Sequence, residues 1–159
     1  MFEGEYMIHQ KDNSIGNYNY NSRIYTDINY DRHFHRNCEL IYVFNGQAEV
    51  VLNDVELIVK EHYMLFIPPN TVHSFSVKKN ANIWIGVFSS NYIPGFMKKY
   101  SDVIYSPFKS NKETEEYLKA HLFTTEKPSF YTLKSLLYAV CGQCEESGEI
   151  ITIKSNYDM

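Results

Sequence analysis

The sequence predicts a mainly β fold, an antiparallel barrel followed by two or three C-terminal α-helices, on three observations. From Ile24 to Phe88 the chain breaks into short runs rich in Val, Ile, Tyr and Phe, bounded by Asn45-Gly46, Asn53-Asp54, Pro68-Pro69-Asn70 and Lys79-Asn80. Two histidines and a glutamate stand at even spacing at the front of that region, and a third histidine follows its proline turn. After Tyr92 the apolar period changes from two to the helical three and four.

Taken in order, residues 40–44 and 47–52 flank Asn45-Gly46, a pair suited to the two positive φ values of a type I′ turn, so they are expected to form a hairpin. Asn53-Asp54 joins the second of these strands to residues 55–60 by similar chemistry, and two linked hairpins imply a meander. Further strands are expected over residues 63–67, 72–77 and 83–88. Pro68 and Pro69 lack the N–H that a ladder needs and mark a strand end. Helical spacing begins over residues 93–100. Ser110-x-x-Glu113 resembles a capping box that opens a helix to about Phe123, and Leu133, Leu136, Leu137, Val140 and Cys144 form the apolar stripe of another. Lys127-Pro128-Ser129 separates the two helices, and a short β-prone run over 150–153 precedes a polar end. The expected organisation is an irregular arm over 1–22, a barrel over 23–90, a helical appendage over 91–150 and a tail over 151–159.

With 159 residues the chain is the size of one ordinary domain. It is 44% hydrophobic and 21% charged, and no stretch approaches the ~20 apolar residues of a membrane span. No signal pattern is visible before Asn21, so a cytoplasmic location is expected, and three cysteines are too few for a disulfide framework. A net charge of −4 and a pI near 5.8 argue against duplex DNA as a direct partner, because DNA is held mainly by clustered Lys and Arg. The short clusters Lys78-Lys79 and Lys98-Lys99 read as solvated charge at a turn and a helix end.

The chemistry concentrates in four residues. In His33-Phe34-His35 the two imidazoles share one side of a strand, ~6.7 Å apart along the backbone. Glu39 has the same parity, but an unbroken strand would carry it ~13 Å beyond His35, so the chain must bend at Arg36-Asn37-Cys38 to bring it back. His73 is the fourth member, delivered just after the proline turn. Three imidazoles and a carboxylate suit a divalent transition metal, Zn, Ni, Fe or Mn, and serve equally as polar lining for an organic effector. By strand parity Ile41, Val43, Phe75 and Ile85 line the same interior, with Phe75 placed to stack on a bound ring and Trp84 on the opposite face. Cys141-Gly-Gln-Cys144 reads as two buried helix residues, and Cys38 as a small thiol in the bend. The stripe Leu133, Leu136, Leu137, Val140 can dock on the barrel or pack against a second copy.

His33-x-His35-x3-Glu39-x6-Gly46 resembles the first motif of the cupin superfamily, the double-stranded β-helix or jelly-roll barrels, and Pro68-x-Asn70-x2-His73 resembles the second. The departures are Asp27 for the leading Gly of the first motif, His62 and Asn70 for Gly in the second, and Val77 for its final Asn. His and Asn tolerate positive φ better than most residues. The block from Glu39 to Gly46, the block from Met64 to Phe75 and the segment from Phe88 to Phe96 are similar to the N-terminal ligand-sensing and dimerisation domain of AraC-type transcription regulators. That resemblance implies a small-molecule effector, often a sugar, in contact with His33, His35, Glu39, Ile41, Val43, His73, Phe75 and Ile85. It also implies a homodimer through the helices, with Leu133, Leu136, Leu137 and Val140 at the interface, and DNA contact only through a C-terminal helix-turn-helix half that lies outside this chain. The favoured function is a non-enzymatic effector sensor. The alternative is a stand-alone cupin metalloenzyme, a dioxygenase or isomerase, with a metal on His33, His35, Glu39 and His73.

Overall fold

Alternation of apolar side chains sets the strand faces, and two four-stranded sheets result. The computed structural model describes residues 17–27, 29–33, 36–78 and 80–153, with side chains of 30–33, 152 and 153 left aside. The strands are β1 (Tyr20–Thr26), β2 (Asn29–His33), β3 (Cys38–Asn45), β4 (Gln47–Leu52), β5 (Val55–Lys60), β6 (Met64–Ile67), β7 (His73–Val77) and β8 (Asn82–Phe88). One sheet has the order β1-β8-β3-β6 and the other β2-β7-β4-β5, antiparallel throughout. β1 starts at Tyr20, upstream of the expected barrel boundary at 23, because Tyr20 pairs with Phe88 and extends the ladder.

Between the sheets lies an apolar interior that includes Ile41, Val43, Val50, Leu52, Leu65 and Ile85. β3 is buried on both faces. Its odd positions enter this interior, whereas Cys38, Leu40 and Tyr42 face a second cluster under the helices.

β3 and β4 belong to different sheets, so the expected hairpin at Asn45-Gly46 is corrected to a corner. Gly46 alone of the pair takes positive φ, +81°, and a Cβ there would lie 2.6 Å from Ala81 Cβ. The Asn45 side chain instead bridges across, donating to the Asn80 carbonyl at 2.6 Å and accepting from the Asn82 amide at 2.7 Å. The β4–β5 hairpin does form, with Asn53 at φ +54° and Leu52 opposite Val55. The expected meander is therefore replaced by strands that cross between the two sheets at every connection except β4–β5.

Beyond a 3₁₀ turn over Ser90–Tyr92 come α1 (Pro94–Tyr100), β9 (Val103–Tyr105), α2 (Lys112–His121), α3 (Phe130–Ser147) and β10 (Ile150–Ile153), which pairs with β9. Asn111, not Ser110, caps α2: its Oδ1 accepts from Thr114 N at 2.8 Å, while Ser110 is buried. Leu133, Leu136, Leu137 and Val140 are at most 3% exposed and pack in one cluster with Leu40, Phe66 and Trp84. The stripe expected at a dimer interface is thus covered within the chain, because the outer face of the first sheet is itself apolar; full burial contributes about 1.5–3 kcal/mol per large side chain. Cys38, Cys141 and Cys144 are free and buried. No helix among the described residues is long and apolar enough to cross a membrane.

Candidate functional site

The site begins with the crossing between sheets. β2 ends at His33 and β3 begins at Cys38, with bends at Arg36 and Asn37, so the turn expected from the Glu39 spacing is present. Glu39 then becomes the first inward residue of β3. On the opposite sheet, Asn70 takes φ +62° after the prolines and starts the chain toward β7, whose first residue is His73.

These two elements bring Glu39 Oε1 within 3.3 Å of His73 Nε2, with both side chains 1% exposed. His73 Nδ1 donates to the Thr71 carbonyl at 2.8 Å, which turns Nε2 toward the carboxylate. Burial by itself lowers the His73 pKa, but the Glu39 charge, the Glu39 hydrogen bond and the Thr71 carbonyl together hold it above the ordinary imidazole value. Thr71 is buried beside this pair.

His33 stands opposite His73 in the β2–β7 register. Its side chain, and His35 altogether, lie outside the described residues. The Phe75 and His73 rings are nearly parallel, 13° apart in tilt, with centroids 6.4 Å apart. Ile41, Val43 and Ile85 are buried in the interior next to them, and Trp84 faces the helices, where its Nε1 donates to the Thr124 carbonyl at 2.9 Å.

Sequence reasoning missed the inner edge of β1. Arg23 pairs with Ile85 and Tyr25 with Ile83, so both share the face of those inward residues, and Tyr25 packs against the interior cluster. The signal was present as Arg23-Ile24-Tyr25, but a face can be assigned only when the partner strand is known.

For a metal ion, His73 offers the arrangement ligating histidines use, one ring nitrogen anchored on a carbonyl and the other aimed inward beside a carboxylate. Among the described residues no group of three or more ligand-type side chains converges.

Residues 20–88 match the family model described as AraC-like ligand binding domain, from the first residue of β1 to the last of β8. A comparison with curated proteins finds no match. Among solved structures, ToxT from Vibrio cholerae is similar at 12% identity and TM-score 0.55, covering 80% of this chain and 57% of that one. A ToxT structure from Vibrio cholerae O395 gives 11% and TM-score 0.53, covering 81% and 54%. An RmlC-like cupin from Shewanella frigidimarina NCIMB 400 is 22% identical with TM-score 0.37, covering 43% and 66%. The chain spans little more than half the length of ToxT, and at these identities the likeness is one of fold. Across both sheets, residues 20–88 are thus similar to an AraC-like ligand binding domain.

Proposed function

We propose that this chain is the effector-sensing and dimerisation part of an AraC-type bacterial transcription regulator, cytoplasmic and non-enzymatic. The observation that carries the reading is the buried Glu39–His73 pair beside the apolar interior cluster of the barrel. A carboxylate and an imidazole beside the flat face of Phe75 suit a small polyhydroxylated molecule, a sugar being the simplest: hydroxyls bond the pair and a C–H face lies on the ring. The effector site comprises His33, His35, Glu39, His73 and Phe75, walled by Ile41, Val43 and Ile85. Because Leu133, Leu136, Leu137 and Val140 are covered, a homodimer through α3 uses its outer face, where Tyr131 is 80% exposed and Tyr138 37%. DNA is reached through a helix-turn-helix half outside these residues, in keeping with the net charge of −4.

A panel of monosaccharides tests this in a thermal-unfolding assay. At one hundred times its Kd a ligand stabilises by about 2.7 kcal/mol. At least one sugar is expected to raise the midpoint of the wild type and not that of Glu39→Gln; a panel without effect on the wild type removes the sugar reading.

The His73 tautomer favours a second reading, a divalent Zn, Ni, Fe or Mn held by His33, His35, Glu39 and His73. When bound, such an ion supplies a Lewis acid, for effector binding or for dioxygenase or isomerase chemistry. Elemental analysis of untagged protein decides it: stoichiometric metal that is lost in His73→Ala supports the site, and trace metal in the wild type removes it.

A further inference from the structure

We propose that α2 is tied to the barrel by a clamp of Tyr42, His62 and Glu115, and that through this clamp α2 responds to the state of the barrel interior. The inference rests on the sensor reading for its biological purpose alone, since the clamp itself is tested without any effector.

The first observation is a backbone held in an uncommon conformation. His62, in the β5–β6 turn, has φ +72°, a region that favours glycine, and it stands where the cupin motif resembled above carries Gly. A bulky residue kept at such a position points to a task for its side chain. That task is visible: His62 Nδ1 lies 3.0 Å from Glu115 Oε2 on α2, and Nε2 lies 3.2 Å from Glu61 Oε2. Each contact sets one imidazole nitrogen against a carboxylate oxygen, so the ring bridges the turn and α2.

The second observation is the burial of the other two members. The Tyr42 hydroxyl donates to the same Glu115 Oε2 at 2.5 Å and lies 3.2 Å from His62 Nδ1. Tyr42 is fully buried and Glu115 nearly so, an unusual place for a carboxylate on a helix otherwise edged with exposed Lys and Glu. Tyr42 also stacks on Phe123, just past the end of α2, with centroids 4.2 Å apart.

The third observation connects the clamp to the interior. Tyr42 is followed on β3 by Val43, whose side chain enters the barrel and whose backbone holds the His62 turn: His62 N donates to Val43 O at 2.7 Å, and Val43 N donates to Tyr63 O at 3.2 Å. A displacement of β3 from within therefore moves both residues that grip Glu115. The path is short and made of hydrogen bonds and one strand, with α2 as the element it biases.

Hydrogen exchange followed by mass spectrometry on the full chain tests the clamp. His62→Asn keeps a residue that tolerates positive φ while removing the imidazole, and Glu115→Gln keeps the shape while removing the charge. Each is expected to speed exchange of amides 115–122 about tenfold, the loss expected for a hydrogen bond to a charged group, and to leave β3 and β8 amides unchanged. Unchanged α2 rates in either variant, or an equal rise in β3 and β8, overturn the clamp. Coupling to the interior is read from Val43→Ala: its effect on α2 exchange is expected to be several-fold larger in the wild type than in Glu115→Gln. Equal effects in the two backgrounds overturn the response to the barrel.

Discussion

Glu39 and His73 are 34 positions apart in the chain and meet inside the barrel, where neither has water to fall back on. Removing one member of a buried charged pair strands the other, a loss of about 3–5 kcal/mol. Glu39→Ala is accordingly expected to lower the stability measured by urea unfolding by about 3 kcal/mol; a change under about 1 kcal/mol would show that the pair has little structural role. Both residues stood out in the sequence, and so did the need for a bend between His35 and Glu39, because strand geometry forbids the alternative. The positive φ of His62 and Asn70 was legible too, whereas that of Asp27 was not. Asp27, His62 and Asn70 keep positive φ values of 56°, 72° and 62° where the motifs carry glycine, so the fold retains the turn and accepts the cost. Gly46 is stricter, since a side chain there meets both its φ and Ala81 Cβ. Gly46→Ala is expected to cost at least about 2 kcal/mol in the same urea titration, summing the left-handed penalty and the overlap.

At the level of elements, α3 shows why an apolar stripe does not name its partner. Leu133, Leu136, Leu137 and Val140 recur at helical spacing whether they meet a sheet or a second helix. The deciding fact is that Cys38 to Val43 is buried on both faces, which leaves the outer sheet surface to be covered by the chain's own helices. Leu136→Ala is therefore expected to destabilise the chain by about 3 kcal/mol, and Tyr131→Ser by no more than about 0.5 kcal/mol. Sedimentation separates the two roles further. If the proposed dimer uses the outer face of α3, Tyr131→Glu with Tyr138→Glu shifts the chain to monomer while its unfolding midpoint is retained. The Asn45-Gly46 corner belongs to the same lesson, since Asn-Gly signals a reversal and does not say whether the next strand returns to the same sheet.

Across the whole molecule the three thiols, Cys38 on β3 and Cys141 and Cys144 on α3, are buried, and burial pushes Cys144 up to about 12 and Tyr20 likewise to about 12. Both values are raised, so the folded chain keeps protons that the unfolded chain releases near pH 8.5 for the thiol and about 10 for the phenol. Their contribution to stability is complete below those values and is lost as pH rises toward about 12. The urea midpoint is thus expected to hold from about pH 7 to 8.5 and to fall steadily above it. A disulfide reagent at about pH 8 should label the native thiols slowly and label all three in denaturant. Much of this architecture is local information. Strand and helix periods, proline stops and the paired motifs depend on neighbours within a few residues, so the sequence by itself determined a β barrel with helices after it and named Glu39 and His73. Tertiary structure alone decided which sheet each strand joins, which face of α3 is spent on the barrel, that Arg23 and Tyr25 share its inner face, and that His62 reaches Glu115. Those are contacts between segments far apart in the chain, set by which surfaces remain uncovered once the elements exist, and no local pattern carries them.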